Sequence, residues 1–331
     1  MKTLEAVNRF VNRYLTVFVL ISVALSLLVP GPFTAMGHMT LGSIHFGSYS
    51  FTLSLTSFML MIIMLGAGAS ISIKEILGVI HRPLDLAAGI AAKYVIMAAG
   101  AWITARILRM NDQLAFGLIL LGAMPPGTGA AVLVALAGGE ISFGVALCVL
   151  CTFLAPVISP LLTLLLGGAR VDVDLISMVI NITIIVLIPI TAGIILRSTF
   201  QERLQGFRRV LTTFSLLSVM LIICNSTAPN KDVILSVEAL IVILALTVNF
   251  VIAAAGVTLV TRLLRMSRPR AKAAILVSCE QNNALAVGIA AGFADTAPAV
   301  AIPPIIAVAL NFALAAVLTG LLTDKKKDKT P

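Results

Sequence analysis

The chain has 331 residues, of which 60% are hydrophobic and only 11% charged. An ordinary soluble domain carries roughly 25% charged residues, so this composition excludes a water-soluble globular fold and points to an integral membrane protein. A formal net charge of +9 raises the question of nucleic-acid binding, but the basic residues gather between apolar runs, where they read as a topology signal.

A helix needs about 20 apolar residues to cross a bilayer. On that ruler about ten spans follow one another: 14–30, 51–70, 84–108, 113–137, 141–167, 175–196, 210–227, 234–261, 271–294 and 298–322. No small-residue cleavage site follows a short apolar region near Met1, so the first span is expected to be retained. About 18 of the 23 basic residues fall in the N-tail, in the second, sixth and eighth loops and in the C-tail. Arg106, Arg109, Arg170 and Lys231 face the other way, so both termini are expected in the cytoplasm. Cys148, Cys151, Cys224 and Cys279 lie in apolar spans and read as small core residues, not as a disulfide framework. His38, His45 and His81 are expected in loops and form no ligand cluster.

Five spans precede the Arg170–Asp174 connection and five follow it. An odd number of spans per half makes the halves enter the membrane in opposite senses. Residues 1–170 and 171–331 are therefore expected to be inverted five-helix repeats of one membrane-embedded unit.

In each half the fourth span is interrupted. Lipid cannot satisfy free backbone N–H and C=O groups, so an unwound stretch at membrane depth must face protein or a watery cavity. The first break is Pro125-Pro126-Gly127-Thr128-Gly129. Proline ends the first half-helix, Gly127 and Gly129 allow close backbone approach, and Thr128 is placed to cap the second half-helix. The N-terminus of that half-helix suits an anion. A proline kink without a ligand is the plainer reading, but matched kinks in two halves favour a site. The second break is Glu280-Gln281-Asn282-Asn283, four polar side chains in a segment otherwise apolar from Ala271 to Ala294. Buried Asn and Gln often join helices, which accounts for one or two of the four but not for an acid.

Lys93, near the middle of the third span, and Glu280 are the ionisable residues expected deepest in the membrane. Such groups are functional candidates and usually pair. A snorkelling lysine or a purely structural ion pair are the alternatives.

At these residues the chain resembles the bile acid:sodium symporter (BASS) family. The family pattern P-G-G-T-x-S-N-V aligns with Pro125-Pro126-Gly127-Thr128-Gly129-Ala130-Ala131-Val132, and E-x-G-x-Q-N-S-G with Val277-Ser278-Cys279-Glu280-Gln281-Asn282-Asn283-Ala284. Ile63-Met64-Leu65-Gly66, Pro189 and Asn311 are further matches. The resemblance implies an all-α fold of about ten transmembrane helices, with a panel domain and a core domain in which the fourth and ninth helices break and cross. It also implies two sodium sites, and here the chain departs. The family's Ser and Asn become Ala130 and Ala131, two fifth-span hydroxyl ligands fall on Gly144 and Cys148, and the shared Glu falls on Val277. Hard cations need oxygen ligands, which these side chains lack. At the second site a Gln becomes Lys93 while Gln281 remains.

The expectation from the residues and the resemblance together is a secondary transporter of a small organic anion, pantoate or ketopantoate for example, across the bacterial inner membrane. Gly127, Thr128, Gly129, Asn282, Asn283 and Asn311 are the candidate substrate-binding residues. Lys93, Glu280 and Gln281 are the candidate coupling site, with Lys93 and Glu280 replacing a sodium ion and protons as a candidate driving ion. No bound metal or other cofactor and no nucleic-acid partner are expected. The alternatives are a sodium-coupled organic anion or bile acid symporter, a non-transporting membrane sensor, and an intramembrane enzyme. An enzyme is disfavoured because the spans carry no His, no H-E-x-x-H motif and no aspartate pair.

Overall fold

The computed structural model describes residues 15–37, 39–46, 49–71, 83–127, 129–168, 171, 174–200, 205–293 and 296–323. The chain opens with α1 (Leu15–Leu28), which turns by 102° into the short α2 (Pro30–Gly37). An antiparallel hairpin follows, β1 (Thr40–Phe46) and β2 (Tyr49–Ser54), with Ile44 opposite Phe51. Residues 51–54 were expected inside the second span. They form a strand instead, because Tyr49, Phe51 and Leu53 alternate with Ser50, Thr52 and Ser54 at the two-residue period of a strand. His45 likewise lies on β1 and not in a loop. The Ser54 hydroxyl accepts from Ser57 N at 3.0 Å and starts α3 (Leu55–Gly68).

Then come α4 (Pro83–Ile107), the broken pair α5 (Asp112–Gly122) and α6 (Ala130–Leu136), and α7 (Ile141–Gly167). After α8 (Leu175–Phe200) and α9 (Gln205–Thr227), a short helical turn at Lys231–Ile234 leads to α10 (Glu238–Leu263). The second broken pair, α11 (Arg268–Cys279) and α12 (Asn283–Ala290), precedes α13 (Ile302–Leu322). Among the described residues, six helices are long and apolar enough to cross a membrane, or seven if the bent α1–α2 pair is one span. The chain is thus a mostly helical polytopic membrane protein.

Two groups of helices pack side by side. In the first, α3 lies against α8 and α9, and α1 lies against α9. Glycine makes the α3–α8 crossing close: a methyl group at Gly68 would run into the Ile190 carbonyl, and one at Gly193 into that of Leu65. In the second group α4, α5, α7, α10, α11 and α13 pack around the two breaks. Within α4 the turn Ala92–Ile96 is π-helical, a local widening that often marks functional positions. Lys93 stands in that turn, and the next residue pins it, with Tyr94 Oη donating to the Cys151 carbonyl of α7 at 2.6 Å. At one end of this group Arg270 bridges Glu140 (2.8 Å) and Asp85 (2.9 Å), joining three segments. Beside it, Lys272 Nζ donates to the carbonyl of Ala137 at the end of α6, at 3.0 Å.

Candidate functional site

The two breaks meet. Asn282 N donates to the Pro125 carbonyl at 2.9 Å, and Gly127 N donates to the Glu280 carbonyl at 3.4 Å. Each broken helix thereby satisfies backbone groups of the other, as the interior of a membrane bundle requires. Gly127 is needed at the crossing, since a methyl group there would meet the Gln281 carbonyl oxygen at 2.8 Å and Glu280 Oε1 at 3.2 Å. Asn282 starts α12, its Oδ1 accepting from Leu285 N at 3.1 Å.

Unwinding also frees a carbonyl. In an uninterrupted helix Asn282 N would donate to Ser278 O, but here it serves Pro125. Lys93 takes its place. The fully buried ammonium donates to Ser278 O at 3.2 Å and Glu280 O at 3.5 Å, at the C-terminal end of α11, where the peptide dipoles favour positive charge. The direct ion pair expected between Lys93 and Glu280 is not formed: among the described residues no salt bridge joins them, because the backbone carbonyls hold the ammonium. Glu280 Oε2 is buried and has no hydrogen-bond partner.

The other polar residues of the second break form a closed network. Asn311 Nδ2 donates to Gln281 Oε1 at 2.5 Å and to Asn283 Oδ1 at 3.1 Å. Asn283 Nδ2 donates to the Ala307 carbonyl at 3.4 Å, and Gln281 Nε2 points to Met97 Sδ at 3.4 Å. This network joins α13 to the break and sets the orientation of both amides.

A cavity of about 470 Å³ lies between the two helix groups. One wall is built from α3 and the turn after it, α8 and α9, including Gly66, Ser70, Thr212 and Ser215. The other is built from both breaks, α7 and α13, including Gly127, Gly129, Thr152, Glu280, Gln281, Asn282, Asn283 and Phe312. Of the expected substrate residues, Gly127, Gly129, Asn282 and Asn283 line it; Asn311 stands behind them in the amide network, and Thr128 lies outside the described residues. Of the expected coupling residues, Glu280 and Gln281 line the cavity, while Lys93 lies beneath the break. Among the described lining residues Glu280 is the one carboxylate, and none is Lys, Arg or His. Thr152, Thr212 and Ser215 were not anticipated; α7 and α9 carry several hydroxyls each, so sequence alone does not single these out.

Helices broken at membrane depth, crossed and facing a cavity between two helix groups, are the architecture of secondary transporters. The chain belongs to the Sodium Bile acid symporter family, whose profile matches residues 57–237. It is 31% identical to an uncharacterized sodium-dependent transporter, YocS, of Bacillus subtilis over 242 residues, 73% of this chain and 74% of that protein. It is 27% identical to the probable sodium/metabolite cotransporter BASS1, chloroplastic, of Arabidopsis thaliana, over 53% of this chain and 44% of that one. It is 26% identical to the human hepatic sodium/bile acid cotransporter, over 56% of this chain and 55% of that one. Against these last two, the chain spans about half the length of the relative it matches. The family is one of transporters, not of enzymes.

Proposed function

We propose that this protein carries a small organic anion, a pantoate- or ketopantoate-like carboxylate, across the bacterial inner membrane by alternating access, without sodium. In this reading residues 1–170 and 171–331 are inverted halves, and both termini face the cytoplasm, the side that collects most of the basic loop residues. The observation that carries the reading is the position of Lys93. Carbonyl oxygens at the end of a broken helix are hard ligands of the kind that bind sodium. Here a covalently attached ammonium occupies them. The dissociable cation is replaced by one that never leaves, so the two carbonyl oxygens are already engaged by a fixed positive charge.

The cavity supports a small solute. Its volume is at the lower end of the range for ligand pockets, and its lining is largely apolar with a few convergent polar groups. Asn282, at the start of α12, brings a side-chain amide to the cavity, and Asn283 beside it is held by the amide network. Proteoliposome uptake of labelled pantoate and ketopantoate tests this: transport in choline buffer supports the reading, and absence of flux with binding retained would make the protein a sensor.

A second reading keeps sodium coupling. The names of the relatives favour it, since three of them describe sodium-dependent transport or cotransport.

A further inference from the structure

Any anion entering the cavity meets Glu280. This side chain lines the cavity, is 2% exposed, and has an oxygen, Oε2, without a hydrogen-bond partner. No basic side chain among the described lining residues offsets it. An ionised, unpartnered carboxylate in such a place is costly, and a second negative charge beside it is more so. One added proton removes both difficulties, and turns the acceptor into a donor. We propose that Glu280 is the proton-carrying group of the transport cycle, so that the anion and one proton bind together and cross together.

The proposal rests on the anion-carrier reading and deepens it by naming the coupling ion. The proton comes from water on the side where the cavity opens and binds the Glu280 carboxylate. The resulting acid donates its O–H to the substrate carboxylate. On the other side the anion leaves and the carboxyl returns its proton to water. A monovalent anion and one proton carry no net charge, so the step is electroneutral.

The groups around Glu280 fit the role. Lys93 of the π-helical turn approaches from α4, but its ammonium is held by the Ser278 and Glu280 carbonyls and does not reach the carboxylate as an ion pair. The thiols of Cys148 on α7 and Cys279 next to it in the chain are the other titratable neighbours. From the facing elements α6 and α13 no ionisable side chain comes, since Ala130–Leu136 and Ile302–Leu322 contain none. Among the described lining residues Glu280 is the one carboxylate, and the proposal gives it the proton.

The test uses the full-length protein in proteoliposomes, with labelled pantoate and ketopantoate as probes and membrane potential clamped at zero. An inward proton gradient is expected to drive accumulation, with uptake falling about tenfold per pH unit once the carboxyl is ionised. One proton should enter per anion, read with a trapped pH dye. E280Q, a permanently neutral mimic of the acid, is expected to exchange anion with a flat pH profile and to lose gradient-driven accumulation. Wild-type accumulation that ignores the proton gradient, with counterflow intact, would overturn the proton proposal and leave the anion carrier standing. No counterflow at any pH would overturn the anion reading itself. E280Q with the wild-type pH profile would remove Glu280 from the role. If E280Q does not fold, as judged by gel filtration, the wild-type proton-to-anion ratio decides alone: a ratio near one supports the proposal and a ratio of zero overturns it.

Discussion

The substitution Lys93→Gln reaches the cation position most directly. In the wild type the ammonium serves two carbonyls, at 3.2 and 3.5 Å, and the nearer one, Ser278 O, has lost its usual helical donor to the crossing of the breaks. Glutamine is shorter, neutral and able to offer an oxygen. It should leave at least one carbonyl poorly satisfied, at a cost of about 1–3 kcal/mol. It should also turn the cluster into a set of oxygens that a hard cation can join. Sodium at about 100 times its dissociation constant would then return about 2.7 kcal/mol to the variant. The assay is thermal unfolding in detergent, in sodium against choline chloride at equal ionic strength. Lys93→Gln should unfold earlier than the wild type in choline and recover most of the difference in sodium, while the wild type should not respond. A wild type stabilised by sodium as much as the variant would refute the reasoning, because it would show that Lys93 does not occupy the sodium position.

Three further outcomes follow from the same geometry. Gly127→Ala places a methyl group 2.8 Å from the Gln281 carbonyl oxygen, so the breaks must separate; transport should fall sharply and hydrogen exchange at Asn282 N should rise. Asn311→Leu leaves the Gln281 and Asn283 side-chain oxygens without their donor, and should destabilise the protein by about 1–3 kcal/mol for each buried group in denaturant titrations. Asn282→Leu removes the cap of α12 and a polar cavity group; uptake should weaken roughly ten- to a hundredfold in apparent affinity, and an unchanged apparent affinity would move the anion elsewhere.

Much of the architecture was legible because lipid is an unforgiving solvent. Apolar runs of about 20 residues located the long helices, and the interruptions at 125–129 and 280–283 were conspicuous because nothing in a bilayer satisfies an unwound backbone. What the chain's order does not reveal is direction around each helix. Lys93 and Glu280 were both placed at depth, but that the Lys93 ammonium takes backbone carbonyls and leaves Glu280 Oε2 without a partner depends on the π-helical turn and on which N–H the crossing diverts. Asn311 matched a ligand-side pattern yet stands one layer behind the cavity, held by Gln281 and Asn283. The hairpin at 40–54 was hidden by its hydrophobic residues, which extended the apolar run of α3 although their period was two. The hydroxyls of Thr212 and Ser215 face the cavity from a helix in the other group, and only the packing of α9 against α3 puts them there.

The central claim is that a built-in ammonium does the work of a bound sodium ion. Its most direct test is the initial rate of pantoate or ketopantoate uptake into proteoliposomes, in choline and in sodium buffer at the same pH. Equal rates at every sodium concentration are the result predicted here; a steep, saturable requirement for sodium would contradict it.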